Sequence, residues 1–518
     1  MGNHQENTRR VAKNTLVLYV RMLFSMLVSL YTSRVILNTL GVEDYGIQCA
    51  VGGVVGMLSI FTGSLSAAIS RYLTFELGRG DKSKLSLIFS SSLVVQCVLA
   101  IVIIILLEGL GVWFLNTRMV IPAERMAAAN WLLQFSLLSF VVGLISVPYN
   151  ASIVSHERMT VYAYIGMSEV VVRLLIVLSL KIIPGSFDKL IYFAAMQLVS
   201  GLAFQSFYWY YCRRHFEECR FRLRLDKGLL KEILGFAGWN FIGASSAVLR
   251  DQGGNVILNL FWGPTVNAAR GIAQQVSNAV NGFVGNFMTA TNPQITKSYA
   301  EGDVEYAIHL CSRAARFSFY LLFVLSLPVL FNTEFLIDLW LGQIPEHVIL
   351  FVRLALIFSL CETISNPLIT LLLSTGNIRN YQLVVGGLQL LNLPVSYVLL
   401  KIGMFPEVVM VVAILLSLSC FAARLVMLHP MVGLSPRNYL KAVVLNILEV
   451  IVVALPLPVT CSVMLNSNSI SVFLVSCLLC VLCAGSAVYF IGCSKSERVF
   501  ICQKAKAVAR RVFCNAKD

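Results

Sequence analysis

The stretch VILNTLG at residues 35–41 decides the fold, because its first four letters return as VILN at residues 256–259, 221 positions later. Further anchors follow in the same order at offsets of 222 and 219: Gly80-Asp81 with Gly302-Asp303, ISVP at 145–148 with ISNP at 364–367, and Tyr162 with Tyr381. Several anchors in one order and at a nearly constant offset indicate an internal duplication.

The composition places the chain in a membrane. Of 518 residues, 58% are hydrophobic and only 13% are charged, whereas soluble domains carry about 25% charged residues. The mean hydropathy is +0.79. About fourteen apolar segments reach the roughly 20 residues that a spanning helix needs. Their approximate extents are 15–38, 47–70, 85–107, 128–151, 160–183, 189–211, 234–260, 267–291, 315–336, 348–373, 380–401, 406–428, 440–465 and 470–493.

The distribution of Lys and Arg predicts the orientation. With the N-terminus in the cytoplasm, the cytoplasmic loops and tails carry 29 of these residues and the opposite face carries five. Such an imbalance is the signature of cytoplasmic loops, so we expect both termini inside. The net charge of +14 therefore reports membrane orientation. Nucleic acid is not an expected partner, because the basic residues are spread over many short loops.

Six spans separate each anchor from its repeat partner, so both copies enter the membrane in the same direction. Such a parallel repeat is typical of transporters with two lobes around a central cavity. The fold class predicted is an all-α polytopic membrane protein with two six-helix lobes and two extra C-terminal helices. The predicted segments are an N-terminal lobe at 1–212, a basic cytoplasmic interlobe loop at 213–233, a C-terminal lobe at 234–430, two additional helices at 431–493 and a basic cytoplasmic tail at 494–518.

Ionisable residues inside spans are costly and usually face the bundle interior or water. In helix one, Arg34 and Asn38 share a face. Their repeat partners in helix seven are Asn255 and Asn259, beside Arg250 and Asp251. We predict that these polar faces line the cavity. In helix five, Glu169 and Arg173 are four residues apart, which favours a structural ion pair, with a role in proton coupling as the alternative.

Helix eight carries a polar stripe at helical spacing: Asn267, Arg270, Gln274, Asn278, Asn281 and Gly285. We expect this stripe to line the cavity, with interhelical hydrogen bonding as the alternative. The corresponding helix two has a face of glycines and serines from Gly52 to Ser66, which permits close helix approach. The cysteines at 477, 480 and 483 lie in an apolar helix, where packing is a better interpretation than metal binding.

Arginine outnumbers acid in the predicted cavity, which favours an anionic ligand, since guanidinium groups form paired hydrogen bonds to phosphate oxygens. Asn and Gln side chains suit sugar hydroxyls. The predicted substrate-binding residues are Arg34, Asn38, Arg250, Asn255, Asn259, Arg270, Gln274, Asn278 and Asn281. A ligand with both phosphate and sugar parts fits this set.

The segments SRVILNTLGVEDYGI and GGVVGMLSIFTGSLSAAISRYLTFELGRGD resemble the Wzx-type oligosaccharide flippases of the multidrug/oligosaccharidyl-lipid/polysaccharide exporter superfamily. The resemblance covers essentially the whole chain. It implies a multi-pass protein of the bacterial cytoplasmic (inner) membrane. Such a protein flips an undecaprenyl-diphosphate-linked oligosaccharide from the cytoplasmic to the periplasmic leaflet by alternating access, for O-antigen or capsule assembly. Other polysaccharide assembly proteins and membrane lipids are the further partners it implies.

No cofactor is expected. Coupling to a proton or sodium gradient follows by analogy with the superfamily, and Asp251 and Glu169 are the two candidate carriers. A drug/cation antiporter of the same superfamily shares the fold, although an acid-dominated cavity would be expected of it. A membrane-embedded polysaccharide polymerase or ligase needs larger outer loops with chemically active residues, and a non-transporting scaffold would not need the polar stripe.

Overall fold

The structure is a computed structural model that describes residues 2–79, 81–156, 158–184, 187–220, 227–377, 379–464, 469–499 and 502–503. Within these ranges every regular element is helical, which confirms the predicted all-α class. Helices are the expected solution for long apolar segments, because each backbone N–H and C=O is satisfied within its own segment when no water is at hand.

The helices of the first repeat, within the described ranges, are α1 (Gly2–Gly56), α2 (Ser59–Arg79), α3 (Lys82–Leu106), α4 (Val112–Thr117), α5 (Met126–Ser155), α6 (Met159–Ser179) and α7 (Lys189–His215). Those of the second repeat are α8 (Lys227–Ala300), α9 (Val304–Phe331), α10 (Thr333–Leu341), α11 (Val348–Ser374), α12 (Arg379–Leu390), α13 (Asn392–Lys401) and α14 (Val408–Val432).

The C-terminal helices are α15 (Pro436–Tyr439), α16 (Asn446–Ala454), α17 (Pro456–Met464) and α18 (Ile470–Ala487). Short π-helical segments lie at Leu107–Gly111, Leu440–Leu445 and Val488–Gly492.

The duplication is visible in the backbone. The long helices α1 and α8 each break at one glycine, Gly41 with φ 86° and Gly263 with φ 75°. These glycines are 222 positions apart, and both occupy backbone conformations that side chains with a Cβ rarely adopt. Asp81 and Asp303, a repeat pair, each cap the following helix through a side-chain oxygen.

Eleven helical stretches in the described part of the chain are long and apolar enough to cross a membrane, where the sequence predicts about fourteen. The predicted spans at 47–70, 234–260 and 267–291 account for the difference. The first is divided between the end of α1 and the start of α2. The other two lie in α8, where Arg, Asn, Gln and Ser interrupt the apolar residues. The multi-pass membrane class is therefore confirmed.

The contacts divide the chain into two compact units. Unit 1 comprises residues 1–275, 345–351 and 382–416, and unit 2 comprises 276–344, 352–381 and 417–518. These units cut across the lobes predicted from the repeat, because the first half of α8 packs against the second half of α1. The predicted lobes therefore describe the duplication, and the units describe the packing.

The predicted interlobe loop at 213–233 is shorter in the structure. The last turn of α7 extends to His215 and α8 begins at Lys227. Residues 221–226 of this loop, and residues 504–518 of the basic tail, lie outside the described residues.

Candidate functional site

The outward face of α1 carries the first predicted residues. Arg34 and Asn38 are exposed, whereas the intervening residues 35–37 are buried. A charged side chain inside a span is costly against lipid and usually faces water or protein. Arg34 and Asn38 form a polar patch on a face of α1 whose other exposed residues include Leu27 and Tyr31.

The first half of α8 holds an ion pair. Nε of Arg250 lies 2.8 Å from Oδ1 of Asp251, and the side chain of Asp251 is 47% exposed while that of Arg250 is 13% exposed. Asn255, one turn further along, donates a hydrogen bond of 3.4 Å to Oε1 of Gln252. The carboxylate of Asp251 is thus the more accessible member of this pair.

Arg270, in the second half of α8, packs against the first half of the same helix. Its Nη2 donates to the backbone oxygen of Asp251 at 2.9 Å, and its Nη1 is buried with no hydrogen-bond partner among the described residues. The guanidinium lies against Gly254, where a Cβ would come within 2.2 Å of Nη1. The kink at Gly263 therefore brings Arg270 back beside Arg250 and Asp251.

Asn259 does not line a cavity in this conformation. It is fully buried, and both ends of its amide bind the backbone of Val120. The Val120 N–H donates to Oδ1 at 3.0 Å, and Nδ2 donates to the Val120 oxygen at 3.3 Å. Its repeat partner Asn38 is exposed, so the two copies use this position differently. Asn259 becomes available to a ligand only when it releases Val120.

The polar stripe of α8 divides into three kinds of contact. Asn267 and Arg270 are buried, and both donate hydrogen bonds to backbone oxygens in the first half of α8. Gln274 in unit 1 and Asn278 in unit 2 are exposed. Asn281 donates to the hydroxyls of Ser277 and Ser359 in unit 2, at 3.1 and 2.8 Å. Exposed residues and buried, hydrogen-bonded residues therefore alternate along one helix.

Part of the small face predicted for helix two packs on α8. A Cβ at Gly53 would lie 2.9 Å from the Cβ of Asn255, whereas Gly52 and Gly63 have open space. Gly46, which precedes the predicted face, approaches more closely, since a Cβ there would lie 1.9 Å from the backbone oxygen of Pro264. Glycine is the residue that permits this approach.

A cavity of about 320 Å³ lies within unit 1, between α5, α6 and α7. Glu169 and Arg173 both line it and both are exposed. These two residues belong to the described part of the chain and form no ion pair there. The hydroxyl of Tyr208 instead donates to Oε1 of Glu169 at 3.4 Å, while Arg21 lies over the ring of Tyr162 at 4.5 Å.

Sequence reasoning missed a buried polar cluster in unit 2. Its central residue, Arg424, lies inside α14 and is 1% exposed. It hydrogen-bonds Tyr381, and the hydroxyl of Ser417 donates to Glu362. Arg424 lies within the predicted span at 406–428, so its position inside that span was the available signal. In the described residues, no group of three His, Cys, Asp or Glu side chains could hold a metal ion.

The comparisons with known proteins fit this architecture. Residues 11–299 match the family model described as "Polysaccharide biosynthesis protein", which is more than half of the chain. The membrane protein EpsK of Bacillus subtilis (strain 168), described as uncharacterized, is 21% identical over 302 residues. That match covers 58% of this chain and 59% of EpsK, less than two thirds of that protein's length.

Solved structures share the fold over most of the chain. A lipid II flippase MurJ in an inward closed conformation has a TM-score of 0.69 at 11% identity, covering 91% of this chain and 98% of that one. The multidrug transporter DinF-BH, of the MATE type, has a TM-score of 0.60 at 16% identity, covering 82% and 95%. At these identities the likeness shows the fold.

The chain belongs to the polysaccharide biosynthesis protein family. Its polytopic helical fold is shared with a solved flippase and with solved multidrug transporters. The family and the fold agree with the expectation of a flippase or exporter.

Proposed function

We propose that the protein flips an undecaprenyl-diphosphate-linked oligosaccharide from the cytoplasmic to the periplasmic leaflet of the bacterial inner membrane, for O-antigen or capsule assembly. The observation that carries the proposal is the exposed face of α1 at Arg34 and Asn38 in a member of the polysaccharide biosynthesis family. A cation held inside a span costs free energy, and an anionic headgroup offsets that cost.

Each cationic residue has a stated role in this proposal. Arg34 and Arg250 bind the diphosphate, because guanidinium groups match phosphate oxygens in paired hydrogen bonds. The unpaired Nη1 of Arg270 gains a partner when the surrounding helices move during alternating access. Gln274, Asn278 and the other amides of α8 hydrogen-bond sugar hydroxyls, and both termini face the cytoplasm.

The test is a flipping assay in proteoliposomes loaded with a polyprenyl-diphosphate oligosaccharide. Exposure of the glycan to an external glycan-modifying enzyme reports translocation. We expect wild type to translocate and both Arg34→Ala and Arg250→Ala to lose at least about tenfold in rate, a change of about 1.4 kcal/mol. Arg437→Ala is the matched control, because Arg437 is exposed on α15 outside the repeat.

Three outcomes separate the alternatives. Unchanged rates in both variants would keep the flippase and reject these arginines as the diphosphate site. Failure of wild type to move any of several lipid-linked glycans would reject the flippase. Export of an organic cation in that case would favour the antiporter, whose fold this chain shares.

Ion coupling belongs to the same proposal. The exposed carboxylate of Asp251 and the cavity-lining Glu169 are the two candidate carriers of a proton or sodium ion. Imposing each gradient in turn on wild type, Asp251→Asn and Glu169→Gln identifies the carrier, since its variant flips at a rate that no longer responds to the gradient. Equal responses in all three proteins would reject both residues.

A further inference from the structure

The cavity between α5, α6 and α7 is chemically distinct from the arginine-rich faces of α1 and α8. Its polar lining includes Asn150, Glu169, Arg173, Gln197, Gln205 and Tyr208. One acid and one base balance each other, and amides and hydroxyls supply the remaining polar groups. Such a lining disfavours a diphosphate, because Glu169 offsets the single guanidinium of Arg173. It also disfavours a polyprenyl chain, because an apolar chain would leave these polar groups without partners.

Two observations indicate that this cavity accepts a ligand. Oδ1 of Asn150 is buried and has no hydrogen-bond partner in the described part of the chain, although buried polar atoms are normally paired. The volume of about 320 Å³ is at the lower end of the roughly 300–1,000 Å³ of small-molecule sites. It therefore suits one small polar group and not a whole oligosaccharide.

The arrangement of the lining suits a polyhydroxylated ring. Planar amides and carboxylates supply fixed donors and acceptors, and the rings of Phe204 and Tyr208 supply apolar surface with a polar tip. The hydroxyls of a neutral sugar can hydrogen-bond the amides and carboxylates, and its C–H faces can pack on the rings of Phe204 and Tyr208. The exposure of Glu169 and Arg173 shows that the polar end of the cavity is accessible.

We infer that this cavity is a binding site for a single neutral sugar residue, a hexose or N-acetylhexosamine, of the glycan that the protein transports. The inference rests on the proposed function for its substrate class. It adds a sugar-selecting site within unit 1, separate from the residues assigned to the diphosphate.

Two glycines allow the site to be filled without disturbing the helices. Gly143 on α5 and Gly201 on α7 both line the cavity, and a Cβ built on either meets no atom within 4 Å. Gly143→Leu and Gly201→Leu therefore project a side chain into the cavity and also favour the helix by about 1 kcal/mol. Gly485→Leu on α18 is the matched control, since its Cβ position is equally open and lies outside the cavity.

The experiment titrates free glucose, galactose and N-acetylglucosamine into the purified protein in lipid nanodiscs, with binding read by saturation-transfer NMR. We expect saturable binding of at least one sugar to wild type and to Gly485→Leu, and a loss of at least tenfold in affinity in both filled variants. Gln197→Leu, which removes a cavity amide and keeps the side-chain size, supplies a second test should a filled variant fail to fold.

Absence of saturable binding of all three sugars to wild type would overturn the inference, as would undiminished binding in folded cavity variants. The flipping assay is scored separately on wild type. Flipping without sugar binding would leave the proposed function intact and reject this site. Sugar binding that the cavity variants abolish, in a protein that flips no lipid-linked glycan, would reject the proposed function and keep the site.

Discussion

Gly46 allows the second half of α1 to approach α8 at backbone distance. Any side chain there would place its Cβ 1.9 Å from the oxygen of Pro264, a separation at which the backbone itself must move. Gly52, six residues further along the same helix, has open space at its Cβ position. A substitution at Gly46 therefore tests the steric contact, and the same substitution at Gly52 tests helix propensity alone.

We expect Gly46→Ala to lower the free energy of unfolding by about 1–3 kcal/mol, the usual cost of overpacking. Gly52→Ala should be neutral or stabilise by up to about 1 kcal/mol, because alanine favours the helix. Thermal unfolding of the two purified variants in detergent, beside wild type, measures both effects. Equal midpoints for the two variants would show that the Gly46 contact is not required.

Asp188 joins two structural roles at the start of α7. It caps the helix by accepting from the N–H groups of Leu190 and Ile191 at 2.9 and 3.2 Å, and it pairs with Arg125 at 2.6 Å. Burial works to raise the pKa of Asp188, but the bonds from Arg125 and from the helix amides outweigh it, so the pKa lies below its ordinary value.

This depressed pKa sets a pH dependence. The contribution of ionised Asp188 is present above about pH 4, the ordinary value for aspartate, and is lost as the pH falls through the lowered pKa. We expect Asp188→Asn to be less stable than wild type at neutral pH, with the difference shrinking below about pH 4. Asp188→Ala should cost about 1 kcal/mol more than Asp188→Asn, because asparagine still caps the helix.

Thermal unfolding at a series of pH values measures both parts of this prediction. A difference between wild type and Asp188→Asn that stays constant down to pH 3 would show that the charge does not contribute. Equal stability of the Asn and Ala variants would show that the cap does not.

At the scale of elements, both copies of the repeat have an acidic residue directly before corresponding helices. The residue that pairs with this acid differs between the two copies. Asp188 precedes α7 and Glu407 precedes α14, 219 positions later. In the first copy the partner is Arg125, which directly precedes α5; in the second it is His347, which directly precedes α11. Nδ1 of His347 lies 2.7 Å from Oε1 of Glu407. The other charged group in contact with His347, among the described residues, is Glu346.

Glu407 is 3% exposed, so loss of His347 leaves a buried carboxyl oxygen without this hydrogen bond. We expect His347→Ala to destabilise the protein by about 1–3 kcal/mol, the cost of leaving a buried polar group unsatisfied. The double variant His347→Ala/Glu407→Gln should recover part of this loss, because the remaining group is neutral. A double-mutant cycle with no coupling energy would contradict the pairing.

At the scale of the whole molecule, the excess of Lys and Arg on one face predicts which loops face the cytoplasm. In a background without cysteines, we expect Ile182→Cys, between α6 and α7, to react with a membrane-impermeant maleimide in intact cells or spheroplasts. Ile182 is 83% exposed. Glu301→Cys, between α8 and α9, should react only after the membrane is permeabilised. The reverse pattern would invert the proposed topology.

The sequence by itself determined the features that depend on local composition and periodicity. Apolar segments of spanning length become helices in lipid, so the all-α class followed from their number and length. The two copies of a duplication keep some of the same residues at the same places, so the repeat followed from VILN and from the paired Gly-Asp. The close approach of helix two to a neighbour at Gly53 and Gly56 also followed, because glycine lets helices come near each other.

The tertiary structure alone decided which polar residues meet. Asn38 and Asn259 are equivalent in the repeat, yet Asn38 is exposed whereas Asn259 hydrogen-bonds the backbone of Val120, 139 positions away in the sequence. Glu169 and Arg173 have the spacing of an ion pair but line a shared cavity. Arg424 is a residue type usually found in exposed loops, but it lies buried in α14. Each outcome depends on which other helix covers that face, and the periodicity of a single helix carries no information about its neighbours.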